Sequence, residues 1–226
     1  MPVHNETLAV TGGRKRGRPA GSDSEQTRRT ILAAARDTIA ERGYRAATFQ
    51  LIAQRAGVSR PTLHYYFDTR EELYDTLLAD VCGRVRQCAE VAAGEGSLRR
   101  QLAAFTSELG RLGAAEPAMM KLVVTARIDH HRAQYRHDAA AEIVATVHGF
   151  YDAAVADAAR RGELPAGTDP RAVSDMLSAL FWGLGFHAGF LTPGTPAHNA
   201  PEVARQLLDL LDGGLLNGSV GAPSAT

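Results

Sequence analysis

Residues 48–70 read TFQLIAQRAGVSRPTLHYYFDTR, and this stretch decides the fold of the 226-residue chain. Thr48 is placed to cap a first short helix, and Gly57 ends it, because glycine tolerates the left-handed conformation that closes a helix. Ser59 then caps a second helix whose first turn accommodates Pro61. The stretch therefore predicts two short helices joined by a tight turn.

The second predicted helix has one buried side and several exposed positions. Leu63 and Phe67 lie four residues apart and share the buried face. The other faces carry four residues that we expect to contact base edges, with the arginine preferring guanine: Arg60, Thr62, His64 and Tyr65. Helix, glycine turn and helix form the DNA-binding helix-turn-helix pattern, whose second helix enters the major groove. An ordinary helical hairpin with exposed polar residues is the alternative.

This stretch resembles the DNA-binding domain of the TetR family of transcriptional regulators over about residues 28–78, through the motif Ala53-x-x-Ala56-Gly57-Val58-Ser59-x-Pro61-Thr62-Leu63-x-x-Tyr66-Phe67-x-x-Arg70-x-x-Leu73. His64 departs from the pattern, since the family usually has a tyrosine there. The resemblance implies an all-α fold of about nine helices. A three-helix, N-terminal helix-turn-helix domain would precede a larger helical domain that binds a small molecule and makes the homodimer.

Further DNA contacts follow from the helix-turn-helix interpretation. Gln50 of the first helix is expected at the groove edge, as the residue at its position is in some relatives. Thr48, Tyr66 and Arg70 are assigned to phosphates, the last because it begins the predicted fourth helix beside the groove. A homodimer with two such helices implies an operator that is an approximate palindrome.

Charge is concentrated near the predicted DNA-binding helices, although the formal net charge of the chain is zero. Residues 14–60 contain 11 Lys or Arg against 4 Asp or Glu, a balance of +7, whereas residues 81–226 contain 13 against 15, a balance of −2. A basic region of this kind is the electrostatic signature of nucleic-acid binding.

Residues 1–21 contain few large apolar side chains and are expected to form a flexible arm. This arm carries four positive charges, Arg14, Lys15, Arg16 and Arg18, and its Arg-Gly-Arg-Pro core resembles an AT-hook, which lies in the narrow minor groove of A·T-rich DNA. A basic arm that only touches phosphates is the alternative.

Every segment after the arm is predicted to be helical. Ser22 with Glu25, and Thr69 with Glu72, match the capping box that opens a helix. Later helices are expected at about 97–112, 117–128, 138–161, 170–191 and 201–215, separated by stretches rich in Gly, Pro or small polar residues. We expect a DNA-binding domain over 22–75, a helical ligand-binding and dimerisation domain over 76–216, and a loose tail over 217–226.

Two apolar stripes predict the dimer interface. They recur at three- and four-residue steps, and one such pair from each subunit would close a four-helix bundle: Val173, Leu177, Leu180 and Leu184, then Val203, Leu207, Leu210 and Leu211. The alternative is that both stripes face the core of their own domain.

The second predicted domain also holds most of the bulky apolar side chains, with two histidines among them. Such a set suits an apolar ligand cavity with a few orienting groups, and equally suits an ordinary helical core. The candidate pocket residues are Phe105, Met119, Met120, His148, Phe150, Tyr151, Phe181, Trp182, Phe186, His187 and Phe190.

No cofactor, metal or enzymatic site is predicted. Asp129, His130, His131 and His137 cluster in sequence, but adjacent helical histidines face different ways, so a solvated corner is expected. The sequence has no phosphate-binding glycine loop at a strand-to-helix turn, no nucleophile elbow and no metalloprotease helix.

The remaining features favour a cytoplasmic protein without a membrane partner. Cys82 and Cys88 are six residues apart on one predicted helix and point to different faces, so no disulfide is expected. The N-terminus lacks the apolar core of a signal peptide, and the apolar run over 176–191 is too short to span a bilayer.

The sequence therefore predicts a ligand-responsive transcriptional regulator, a repressor if it follows the family's usual mode. It would bind a palindromic double-stranded operator as a homodimer and be released by a small, largely apolar effector. One alternative is a DNA-binding protein without an effector pocket that acts constitutively or answers to a protein partner. The other alternative is a helical enzyme or carrier whose first domain only resembles a DNA-binding domain.

Overall fold

The computed structural model describes residues 20–132 and 138–191, together with Val203, Arg205, Gln206 and Asp209. These residues contain no strand, which confirms the predicted all-α class. The helices of the two continuous ranges are α1 (Ala20–Arg42), α2 (Phe49–Ala56), α3 (Arg60–Tyr66), α4 (Arg70–Ala93), α5 (Leu98–Ala115), α6 (Pro117–Arg132), α7 (Asp138–Arg160) and α8 (Pro170–Phe186), which continues as a π-helix (His187–Leu191).

Local capping explains where several helices begin. The Thr69 hydroxyl accepts from the Glu72 N–H at 3.0 Å, and the Glu72 carboxylate accepts from the Asp68 N–H at 2.8 Å, so the predicted capping box at α4 is present with its return bond one residue earlier. Ser97 caps α5, and Asp169 caps α8. Each cap satisfies an amide that the first turn would otherwise leave unpaired.

The structure corrects three predicted boundaries. Helix α1 begins at Ala20, so Ser22 lies inside the helix and is not its N-cap. Gly113, predicted as a break, lies buried within α5. A Cβ at this glycine would lie 3.0 Å from the Met120 Cγ, so the position permits close packing of α5 against α6. The predicted single helix over 170–191 changes to a π-helix at His187.

The chain packs as a small N-terminal unit and a larger helical body joined by α4. Helices α1, α2 and α3 make the small unit, while α4 packs on α1 at one end and on α5 and α7 further along. One continuous hydrophobic core extends from Ile31 in α1, through Leu73 and Leu78 in α4, to Phe181 in α8. Helix α6 also contacts α1, so the body touches the N-terminal unit at a second place.

Several predictions concern residues outside this description. They are the arm over 1–19, the stripe positions Leu207, Leu210 and Leu211, and the tail over 217–226. Over the described residues, no helix is both long enough and apolar enough to cross a membrane. Cys82 and Cys88 are buried free thiols on α4.

Candidate nucleic-acid interface and effector core

Helices α2 and α3 are held at their ends by the residues that the sequence indicated. The Thr48 hydroxyl accepts from the Leu51 N–H at 3.3 Å, and the Ser59 hydroxyl accepts from the Thr62 N–H at 3.1 Å. Between the helices, Gly57 has φ +67°, a left-handed conformation that side-chain-bearing residues rarely adopt. This turn fixes the angle between the two helices.

Helix α3 buries one side and exposes the other. Leu63 is fully buried and Phe67 is 1 % exposed, so both hold the helix to the core. Arg60, His64 and Tyr65 are exposed, and Tyr65 reaches 81 %. A tyrosine ring left this open in a helix of seven residues forms part of a surface rather than of the core.

The other predicted base-contact residues lie beside this surface. Gln50 is exposed on α2, and Thr62 is half-buried on α3. The Thr62 and Ser59 hydroxyl oxygens lie 2.7 Å apart. The His64 ring packs edge-on against Phe49, with 4.9 Å between ring centroids, so its orientation is fixed by α2. The base-contact assignments remain predictions.

The predicted phosphate residues differ in how free their side chains are. Thr48 is exposed, and its hydroxyl accepts the capping bond but keeps its own proton for donation. Tyr66 is half-buried and packs edge-on against Tyr65 at 5.2 Å. The Arg70 guanidinium donates to the Arg45 carbonyl at 3.2 Å, which ties it to the turn before α2.

Arg70 also belongs to an aromatic anchor that joins the N-terminal unit to α4. Its guanidinium lies 4.5 Å from the centre of the Tyr44 ring, which stacks on Tyr74 at 4.5 Å. The Tyr44 hydroxyl donates to Glu71 at 3.0 Å, and burial together with this carboxylate raises the pKa of Tyr44 to about 12. No local sequence signal indicates Tyr44, because its partners Arg70, Glu71 and Tyr74 lie far along the chain.

The helical body contains an aromatic cluster that includes four of the predicted pocket residues. Phe105 on α5 lies 4.2 Å from Phe150 on α7, and 5.8 Å from both Tyr151 on α7 and Phe181 on α8, measured between ring centroids. All four side chains are buried, and burial raises the pKa of the Tyr151 phenol. We call these four residues the aromatic core.

The other predicted pocket residues divide into two groups. Met119 is fully buried, and Trp182 packs edge-on against Phe181 at 5.0 Å, while Met120, His148 and His187 are half-buried. The last two residues, Phe186 and Phe190, do not join the buried residues. They stack on each other at 5.3 Å and are 41 % and 43 % exposed, so they lie on the surface of the body.

The predicted dimer stripe on α8 also needs correction. Leu177 is 6 % exposed and belongs to the chain's own core. Val173, Leu180 and Leu184 are half-buried, as is Val203. The exposed stripe of α8 is instead composed of small or apolar residues at three- and four-residue steps: Ala172, Met176, Ala179, Gly183 and Phe186. Its signal in the sequence is weak because small side chains carry little hydrophobicity.

A charged cluster connects the body to the N-terminal unit. Glu116, between α5 and α6, accepts from the Arg36 guanidinium of α1 and from the Arg84 guanidinium of α4, the latter at 2.5 Å. The side chains of Glu116 and Arg36 are 23 % and 18 % exposed. We call these three residues the Glu116 cluster, and no local sequence signal could reveal it.

Metal-binding geometry is absent from the described residues, since no three His, Cys, Asp or Glu side chains converge there. Of the predicted solvated corner, only the His131 side chain is described, and it is exposed.

Comparisons with known proteins cover both parts of the chain. A family model described as bacterial regulatory proteins, tetR family, matches residues 31–77. A second model, described as the C-terminal part of BetI-type transcriptional repressors, matches residues 98–213. The HTH-type transcriptional activator FasR of Mycolicibacterium smegmatis is 34 % identical over 125 residues, which are 55 % of this chain and 50 % of FasR.

Solved structures show the same fold. The transcriptional regulator FadR from Bacillus subtilis in complex with stearoyl-CoA has a TM-score of 0.66 at 20 % identity, covering 81 % of this chain and 96 % of FadR. The MbdR regulator from Azoarcus sp. CIB has a TM-score of 0.71 at 22 % identity, covering 85 % of this chain and 98 % of MbdR.

Proposed function

We propose that this chain, which belongs to the TetR family of bacterial transcriptional regulators, is a ligand-responsive repressor. In this proposal the chain binds a palindromic operator as a homodimer in the cytoplasm and leaves it when a small, largely apolar effector binds. The match to BetI-type repressors supports repression. FasR is named an activator, so the sign of regulation needs its own measurement.

The observation that carries the proposal is the exposed face of α3. A short helix buries Leu63 and Phe67 and leaves Arg60, His64 and Tyr65 open to solvent. An arginine there can pair with guanine in the major groove, and a tyrosine ring can contact bases or sugars. None of these three side chains belongs to the hydrophobic core of the chain.

Dimerisation is proposed through the exposed stripe of α8. Met176 and Phe186 are 43 % and 41 % exposed, and Ala179 and Gly183 lie between them. Small residues let two helices approach closely, and the large ones supply apolar area at each end. The half-buried Leu180 and Leu184 flank this stripe and would contribute at its edge.

The effector is proposed to act through the two connections between the body and the N-terminal unit. Helix α4 joins them directly, and the Glu116 cluster joins them again through α1. A ligand in the aromatic core would shift the operator-bound state only if it favours another arrangement of these helices. Coupling of about 1 to 3 kcal/mol would change operator affinity about 5- to 150-fold. FadR from Bacillus subtilis, which shares the fold, was solved with stearoyl-CoA, and this supports an apolar ligand.

Selection from a random double-stranded DNA library tests the DNA-binding proposal. The enriched sites should be inverted repeats with half-site centres about one helical turn apart. Enrichment of single, unrepeated half-sites would contradict the dimeric arrangement. Mass spectrometry of molecules that co-purify with the chain, followed by addition of each to the operator complex, tests the effector. Operator affinity that no such molecule alters would favour a constitutive regulator.

The dimer surface is tested by substituting Gly183→Arg. A side chain at this exposed glycine meets nothing within 4 Å in the isolated chain, so the variant should fold. It should sediment as a monomer and lose operator affinity. Ala93→Arg, at an exposed position at the end of α4, is the control and should remain dimeric.

A further inference from the structure

We propose that the effector site contains a polar subsite formed by Ser178 and Trp182 on α8 and Arg127 on α6, which binds the acidic oxygen group of an apolar effector. This inference rests on the proposed function, because it assigns the chemistry of the ligand that the helical body binds. Neither the family models nor the sequence pattern assigns hydrogen bonds to these three residues.

The first observation is a pair of buried polar atoms without partners. The Ser178 side chain is 2 % exposed, and its hydroxyl oxygen has no hydrogen-bond partner among the described residues. The indole Nε1 of Trp182 is likewise buried and unpartnered. Buried polar groups in proteins are nearly always satisfied, because an unmade hydrogen bond leaves their desolvation uncompensated. Two such atoms together indicate a bound partner that the chain itself does not provide.

The two residues lie one turn apart on α8, and Trp182 lies beside Arg127 of α6. Ser178 and Trp182 are four positions apart, so they share one face of the helix. That face continues to Gly185, where an added Cβ would lie 3.2 Å from Val124 of α6. Phe181, beside Trp182, contacts the rest of the aromatic core. The unpartnered atoms therefore belong to the face of α8 that carries Phe181 of the aromatic core and that meets α6 at Trp182 and Gly185.

The chemistry of the subsite selects an acceptor. An indole N–H can only donate a hydrogen bond, and a serine hydroxyl can donate its proton to the same group. Arg127 places its guanidinium carbon 6.0 Å from the centre of the Trp182 ring. Among the side chains that the structure describes, no carboxylate forms an ion pair with Arg127. Two donors beside a cation favour an anionic oxygen, and hydrogen bonds to charged groups are the stronger kind.

The neighbouring residues define the rest of the ligand. Phe105, Phe150 and Phe181 present aromatic surface, and the Asp152 carboxylate beside Tyr151 already accepts from Ser174. Aromatic walls with a few placed polar groups are typical of small-molecule sites. The subsite therefore fits an apolar body, aromatic or aliphatic, that ends in a carboxylate, sulfonate or similar acid.

A matched pair of fluorescent probes tests this proposal on the full-length protein. 1-Anilinonaphthalene-8-sulfonate carries the acid, and N-phenyl-1-naphthylamine has the same rings without it. We expect the sulfonate to bind about tenfold more tightly, since one charge-assisted hydrogen bond is worth about that factor. Quenching of Trp182, the only tryptophan, reports that the probe binds within energy-transfer distance of its ring.

Variants separate the subsite from general hydrophobic binding. Ser178→Ala, Trp182→Phe and Arg127→Met should each weaken sulfonate binding about three- to tenfold and change binding of the neutral probe less than about twofold. Arg127→Lys should retain most of the preference because it keeps the charge. Ser174→Ala is the matched control, since Ser174 is equally buried but donates to Asp152. It should leave the preference unchanged.

Two results would overturn the subsite. Equal affinity for the two probes would remove the acidic group from the proposal. If Ser178→Ala and Trp182→Phe kept the full preference for the sulfonate over the neutral probe, the unpartnered atoms would not contact the ligand. Arg127→Met tests the subsite in the same way without changing a residue of α8. Operator release is measured separately. A preserved probe preference without any operator release would leave the subsite standing and count against the ligand-responsive regulator.

Discussion

Replacement of Glu116 by Gln is the sharpest test of how the two parts of the chain are connected. The carboxylate accepts from Arg36 of α1 and from Arg84 of α4, so one side chain links three segments. Glutamine keeps the shape but has only one acceptor oxygen, and its amide would direct a donor at one guanidinium. The buried Nε of Arg36 has no hydrogen-bond partner among the described residues, so Glu116 accepts the side-chain hydrogen bond that Arg36 makes across the fold.

The expected loss follows from the contacts that remain. A hydrogen bond to a charged group contributes about 1.5 to 3 kcal/mol when well shielded, so two would give about 3 to 6 kcal/mol. Three facts reduce this value: the side chains are 18 % to 37 % exposed, Arg84 keeps Asp80 at 3.2 Å, and Arg36 keeps Asp37 at 4.0 Å. We expect a loss of about 2 kcal/mol, which lowers the Tm of a chain of this size by about 4 to 8 °C.

Thermal unfolding followed by circular dichroism measures this loss, with Glu108→Gln as the matched control. Glu108 is as exposed as Glu116, at 23 %, but among the described residues it pairs only with Arg111, one turn away on the same helix. Such local surface pairs contribute about 0.5 kcal/mol or less, so the control should shift the Tm by no more than about 2 °C. Equal Tm values for the two variants would refute the argument that Glu116 joins α1 to the body.

Three further outcomes are expected. Thr62→Ala should weaken specific operator binding by about 1 to 3 kcal/mol and leave non-specific binding unchanged, whereas Arg70→Ala should weaken both. Gel-shift titrations below the Tm measure the two affinities. Identical effects of the two variants would contradict the assignment of Thr62 to bases and Arg70 to phosphates. Removal of residues 1–18 should flatten the slope of log affinity against log salt by about 3 to 4 units, since each neutralised phosphate contributes about 0.9; an unchanged slope would show that the arm does not engage DNA. The pKa of Glu163 is lowered by a side-chain hydrogen bond from Arg161 and by a hydrogen bond from the Leu98 N–H. The ionised Glu163 therefore stabilises the fold at pH values above its unfolded pKa near 4.5, and this stabilisation is lost as pH falls through the folded pKa. The Tm difference between wild type and Glu163→Gln should therefore shrink from pH 6 towards pH 4, and a constant difference would contradict the assignment.

The helix-turn-helix could be predicted almost completely from the sequence. Thr48, Gly57 and Ser59 act on backbone groups within four residues of themselves, and the structure has all three where they were expected. The burial of Leu63 and Phe67 follows from spacing alone. Features fixed by such short-range contacts can be recognised without knowing what packs against them.

Glycine was interpreted correctly at the tight turn and incorrectly within a helix. Gly57 adopts a positive φ, so its conformational freedom is used, whereas Gly113 lies inside α5 where a side chain would meet Met120. Both positions are glycine in the sequence. The difference arises from what lies nearby in three dimensions, and α6 is nearby only after the helices have packed.

The two faces of α8 show the same limit for apolar patterns. Leu177 belongs to one stripe of residues spaced at three- and four-residue steps, and Met176 belongs to a second. Helical periodicity therefore fits both stripes of α8. Packing on α6 and α7 buries Leu177, leaves the rest of its stripe half-buried and leaves the stripe of Met176 exposed. Phe186 and Phe190 were assigned to the pocket for the same reason, since composition does not distinguish an inward ring from an outward one.

The sequence by itself determined the all-α class, the capped helices α2 and α3 and the family. Helical periodicity, caps and turns are encoded by residues close together in the chain. Only the tertiary structure decided which side of α8 is exposed, and it alone joined Arg36, Arg84 and Glu116. It also left the Ser178 hydroxyl and the Trp182 indole N–H buried without hydrogen-bond partners among the described residues. These features depend on residues from different helices, and the distances between such residues are set by packing of the whole core rather than by spacing along the chain.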